Sequence, residues 1–292
     1  MSIPAAYVPA ACSLTAVGVW GASDFLGGVG ARRANVFLFT SIVHLSGMVL
    51  AGTLALILGS PFPAGHSILW SLMAGAAGGS ALAVFYRSLA RGQMGLIAPV
   101  AAVLSAAIPA LLTAFSEGIP HRRQLLGFLL AGVGVWLISR TEKTADTIGG
   151  EQGENETRPR GLGMAVLAGC GFAGFYLCIH RAGNGSPLWL SIWSRLASLT
   201  VTMAFVIIGR QFRSVPRSVV GIAVAAGILD ISGSVVFVRA SQLGRLDSAV
   251  FLSSLYPVVT VILARIFLHE HFSRTRTLGM FAALAAVPLI AG

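Results

Sequence analysis

Long apolar runs separated by short polar intervals fill this chain. Ten of them, at residues 10–30, 35–59, 67–90, 94–116, 122–140, 161–181, 187–209, 216–242, 246–268 and 274–291, reach or approach the ~20 residues that a helix needs to cross hydrocarbon. Connections are short except at residues 141–160, a hydrophilic interval that contains Glu142, Asp146, Glu151, Glu154 and Glu156. That interval cannot bury enough apolar surface to offset its ordering entropy, so it reads as a solvated linker. The expected fold is an all-α integral membrane protein of ten transmembrane helices, five in residues 1–140 and five in residues 161–292. Short connections make consecutive helices antiparallel neighbours.

The second half repeats the first. Phe85-Tyr86-Arg87-Ser88-Leu89-Ala90-Arg91-Gly92 parallels Phe237-Val238-Arg239-Ala240-Ser241-Gln242-Leu243-Gly244, with Phe, Arg and Gly coinciding at an offset of 152 residues. Phe115-Ser116-Glu117 parallels Leu268-His269-Glu270, and a glycine follows each glutamate, at Gly127 and Gly279. An odd number of helices per half makes the second half enter the membrane in the opposite sense. The result is an inverted-topology repeat, whose substrate site is expected near the midplane between halves.

Composition agrees with a membrane class. Of 292 residues, 55% are hydrophobic and 10% charged, and the mean hydropathy is +0.83. The net charge of +10 is spread over loops without a dense basic, aromatic-interleaved run, which argues against nucleic-acid binding. Cys12, Cys170 and Cys178 sit in apolar segments without metal-ligand spacing, so no metal site or disulfide framework is expected. No Lys or Arg precedes Arg32, so the first segment lacks the basic start of a cleaved signal and should remain in the mature protein. Thirteen basic residues fall in the odd-numbered loops against five in the even-numbered ones, which places the odd loops in the cytoplasm and both termini outside.

Taken together, the helix-ending aromatic-x-Arg-x-x-x-x-Gly, the proline-bearing helix that follows, the Glu at its end and the Gly-rich helix, present twice, resemble the EamA repeat of the drug/metabolite transporter superfamily. Gly18-Val19-Trp20-Gly21 resembles the early Trp-Gly of that repeat. The resemblance spans the whole chain, and it implies a ten-helix exporter of small metabolites in the inner cell membrane, with amino-acid exporters a prominent branch. It also implies both termini inside, opposite to the charge count. The sixth segment departs from the pattern, with Gly171-Phe172-Ala173-Gly174 and no tryptophan.

Charged groups within a bilayer are costly, so they are candidate functional residues. Asp230 lies deepest, on one helical face with Phe237, Ser234 and Ser241. It could meet a substrate ammonium or proton, or pair with Arg195 for packing. Arg195 could grip a substrate carboxylate bidentately or snorkel to headgroups. His44, at the equivalent place in the second segment, is a proton-sensitive group or a merely hydrogen-bonded one. Trp20, Tyr86, Tyr176, Trp193, Ser253, Ser254 and Tyr256 complete an amphipathic substrate pocket, with Tyr86 alternatively an interfacial anchor. Asp24 is placed at the pocket mouth. Pro99, Pro109 and Pro257 are candidate hinges, and Gly75, Gly78 and Gly79 with Gly169, Gly171 and Gly174 are sites of close helix approach.

No nucleotide-binding signature is present, and no cofactor is expected. The expected activity is secondary transport of an amino acid or similar small molecule, without enzymatic chemistry, by a chain whose ten helices could enclose a complete pathway in a monomer. A same-fold alternative is an exporter of hydrophobic cations; a membrane-embedded enzyme or a scaffold are the other classes weighed.

Overall fold

The computed structural model describes residues 7–91, 94–116, 118–139, 162–212, 214–268 and 274–291. The linker and the glutamates Glu117 and Glu270 lie outside the described residues. All regular structure among the described residues is helical: α1 (Val8–Ala31), α2 (Val36–Ile57), α3 (Gly65–Arg91), α4 (Met94–Ser116), α5 (Arg122–Ser139), α6 (Leu162–Arg181), α7 (Pro187–Ile208), α8 (Arg217–Leu243), α9 (Leu246–Ser253), α10 (Tyr256–Leu268) and α11 (Arg274–Ala291). Six stretches among them are long and apolar enough to cross a membrane: α2, α3, α6, α7, α8 and the α9–α10 rod. Large apolar side chains such as Leu56, Phe115, Trp136 and Ile208 remain exposed along the outside. That is the surface of a multi-pass membrane protein, since lipid replaces the water such groups would avoid.

Helix ends follow from local chemistry. Asn35 caps α2, its side-chain oxygen accepting from the backbone N–H of Phe37 and Leu38 at 3.1 Å each. Pro187 starts α7, where a missing N–H costs nothing. The α2 helix ends in a left-handed turn at Gly59, with Ser60 N–H donating to Ala55 C=O at 2.9 Å. Its counterpart α7 ends in the same way, with Gln211 N–H donating to Val206 C=O at 2.9 Å. Here the left-handed position is Arg210, φ 47°, which carries a side-chain penalty that glycine avoids.

The ninth apolar segment is the one correction to the element pattern. It is not one helix: turn residues Ser254 and Leu255 separate α9 from α10. Pro257 explains the stop, because its ring excludes a preceding helical turn and supplies no N–H for it, while fitting the first turn of α10. By contrast α4 runs continuously through Pro99 and Pro109.

Helices α1, α3, α6 and α8 form the centre, with α1 packed on α8 and α3 on α6. On one flank α2 packs on α7 and α8, and α7 on α3; on the other, α4 lies against α6 and α10 against α1, with α5 and α11 paired beyond them. Small residues allow the approach. A Cβ at Gly75 would run into the backbone of Ser194, and one at Gly79 would come within 2.5 Å of Ser198, whose hydroxyl donates to Gly75 C=O at 2.8 Å.

One end of the bundle gathers several loops. Trp189 Nε1 donates to Ser60 C=O at 3.0 Å, Gln242 Nε2 to Gly183 and Gly185 C=O at 3.1 and 2.8 Å, and Arg245 Nη2 to Gly118 C=O at 3.2 Å. Pro9, at the start of α1, packs beside Gly244 at this same end. The other end holds Asn35 Nδ2 donating to Gln211 Oε1 at 2.6 Å. Helix α6 therefore runs toward the end from which α1 departs.

Candidate functional site

Midway along the central helices, a pocket opens among α1, α3, α6, α7, α8 and α10, with an empty space of about 480 Å³ including its mouth. Helix α8 supplies its polar floor. Asp230 and Ser234 lie one turn apart, so Ser234 Oγ donates to the Asp230 carbonyl at 2.9 Å. From α1, Trp20 Nε1 donates to that same carbonyl at 3.1 Å. The indole comes this close because the facing residue is Gly233, where a Cβ would stand 2.6 Å from the ring.

Arg195 on α7 reaches the same floor. Its Nη2 donates to Ser234 Oγ and lies 2.9 Å from Asp230 Oδ2, an ion pair by distance in which Oδ2 accepts no hydrogen bond. Removing two charges from water costs several kcal/mol each, by order of magnitude, and the mutual attraction seldom does more than offset that. The pair therefore gives the fold little net stability.

Asp24 is one helical turn beyond Trp20 and lines the same pocket, 7% exposed. Phe172, Phe175 and Tyr176 from α6, Leu82 from α3 and Tyr256 from α10 complete the walls. Tyr256 is positioned by the helix break and by Thr260, whose hydroxyl donates to Gly21 C=O at 3.0 Å. The Tyr256 hydroxyl is buried and has no hydrogen-bond partner among the described residues.

Much of the lining falls into residue pairs 152 apart in sequence: Trp20 with Phe172, Asp24 with Tyr176, Gly78 with Asp230, and Leu82 with Ser234. Ring contacts obey the same offset. Phe237 lies 5.5 Å from Trp20 between centroids, and Phe85 lies 5.5 Å from Phe172.

Of the residues expected from the sequence, the structure brings Trp20, Tyr176, Arg195, Asp230 and Tyr256 together here. His44 is fully buried outside the lining, with neither ring nitrogen hydrogen-bonded among the described residues. Tyr86 is also fully buried, its ring packed against Gly27 and Phe39, which excludes the interfacial-anchor alternative. Trp193 turns away to Phe62, at 6.2 Å between centroids. Ser253 is buried without a hydrogen-bond partner among the described residues, and Ser254 lines a separate apolar cavity with Phe128 and Phe251. Pro109 and Pro257 are buried; the surroundings of Pro99 lie outside the described side chains. Sequence reasoning left out Phe172, Phe175, Gly78 and Leu82 and set Asp24 at the mouth. The i, i+4 spacing of Trp20 and Asp24 was the available signal for the last.

No cluster of His, Cys, Asp or Glu suited to a metal ion occurs among the described residues.

Residues 159–292 match the EamA-like transporter family. A crystal structure of another protein superposes with a TM-score of 0.72 at 16% identity, covering 96% of this chain and 95% of that one. That likeness is one of fold and extends through both halves. No curated protein matches the sequence.

Proposed function

We propose that this chain is a secondary transporter that exports small metabolites bearing an amino group, amino acids and amines alike, across the inner cell membrane. Two five-helix halves, residues 1–140 and 161–292, rock around the central pocket by alternating access. The carrying observation is the lining itself, in which four residue pairs share the 152-residue offset. A site on the symmetry axis of an inverted repeat must be built in this way, because each half contributes the equivalent positions of the other.

Helix packing supports the same arrangement. Exchanging the two halves turns the α1–α8 contact into α6–α3, α2–α8 into α7–α3 and α1–α10 into α6–α4, and all of these contacts occur. The opposite directions of α1 and α6 agree with inversion. Ten crossings follow if α1, α4, α5 and α11 span alongside the six apolar stretches. The enclosed pocket draws on both halves of one chain, so a monomer suffices.

Uptake of radiolabelled amino acids and amines into liposomes holding the purified protein, with and without a pH gradient, tests the reading. Saturable flux that falls in Asp230→Asn is expected. Flux no higher than in empty liposomes for every amino-bearing solute would overturn it.

A further inference from the structure

The charge count of the pocket narrows the solute. Among the described residues, two carboxyl side chains and one guanidinium line it: Asp24, Asp230 and Arg195. Arg195 and Asp230 neutralise each other at 2.9 Å, and the guanidinium is further engaged by Ser234. Asp24 makes no hydrogen bond or ion pair among the described residues, although it is 7% exposed. A carboxylate so enclosed is expensive until it takes up a proton or a partner of opposite charge arrives, and a cationic solute can supply that partner in place of the proton. With Arg195 committed to Asp230, the site is one positive charge short.

Its walls suit a cation as well. Trp20, Phe172, Phe175, Tyr176 and Tyr256 line the space, and an ammonium that meets the face of such a ring is attracted by its quadrupole, most strongly where water is excluded. Tyr256 is 4% exposed, and its hydroxyl, without a hydrogen-bond partner among the described residues, offers an independent polar contact for a ligand.

From this we infer that the pocket binds a monovalent organic amine with a flat apolar body, its ammonium on Asp24. The inference rests on the transporter reading for its purpose, but binding can be measured apart from flux. A monocation brings the pocket to neutrality. A zwitterion adds no net charge, and its carboxylate would have to compete with Asp230 for Arg195. An anion would add to the excess.

Isothermal titration calorimetry on the purified full-length protein in detergent micelles decides the matter, with 2-phenylethylamine and L-phenylalanine as probes. They share ring and amine and differ by one carboxylate. The amine should bind at least about tenfold more tightly than the amino acid. Asp24→Asn should lose about tenfold or more of the amine affinity, and Asp24→Glu should retain most of it. Equal or tighter binding of phenylalanine, no binding of either probe, or unchanged amine affinity in Asp24→Asn would each overturn the inference. Should Asp24→Asn not fold, the two probes on the wild type and on Asp24→Glu decide alone. Amine binding without liposome flux would leave this inference standing and remove transport. Phenylalanine flux without amine binding would do the reverse.

Discussion

Arg195 and Asp230 meet at 2.9 Å across α7 and α8, with side chains 7% and 10% exposed. Neither charge can leave without stranding the other. Replacing one member should therefore cost ~3–5 kcal/mol, by uncovering a buried charge. We expect Arg195→Met and Asp230→Leu each to lower the unfolding temperature in detergent markedly, and the double variant to be more stable than the worse single one. Additive losses would mean that the two side chains are not coupled.

Helix α3 can approach α7 only because it carries glycine at the crossing. A Cβ at Gly75 would collide with the backbone of Ser194, which cannot swing aside. Gly75→Val should cost at least ~1–3 kcal/mol through overpacking, read as loss of folded yield and thermal stability. At Gly18 and Gly52, where no atom lies within 4 Å of an added Cβ, alanine should be tolerated.

The two aromatic contacts separated by 152 residues sit on opposite sides of the pocket. Phe237 lies beyond Ser234 toward the end that gathers Gln242 and Arg245, whereas Phe85 lies beyond Leu82 toward the end that holds Asn35. Under alternating access they close opposite exits. Phe237→Ala and Phe85→Ala should raise labelling of a Ser234→Cys reporter from opposite membrane faces, measured with an impermeant reagent in oriented vesicles. An increase from the same face in both variants would contradict this.

Only the second half breaks its proline-bearing helix, at Ser254 and Leu255 before Pro257. The break lies beside the pocket residue Tyr256. If it is a hinge, Pro257→Ala should slow flux while leaving ligand affinity within a few fold, because it removes a moving joint and not a contact. Equal losses in binding and flux would make the break a positioning device for Tyr256.

Segment limits were legible in the sequence because span length is set by bilayer thickness, and the described helices start and stop close to the apolar runs. The facing of individual side chains was less legible. Trp193 precedes Arg195 by two residues, about 200° around a helix, so the depth that put both at mid-membrane could not tell that only Arg195 looks inward. Ser254 and Tyr256 differ for the same reason, compounded by the helix break. Asp230 with Arg195 was one of the alternatives open from depth alone. The enclosure of Asp24 was not legible, since it depends on aromatic residues contributed by α6 and α10 from far along the chain.

In the proposed transport cycle, solute passes through this pocket. The most direct test of that passage is a Leu82→Cys variant with Cys12, Cys170 and Cys178 replaced by serine, reconstituted into liposomes and treated with a charged methanethiosulfonate reagent. Modification should abolish flux, and transported solute should slow the modification. Flux that survives complete modification of the introduced thiol, verified by mass, would place the pathway elsewhere.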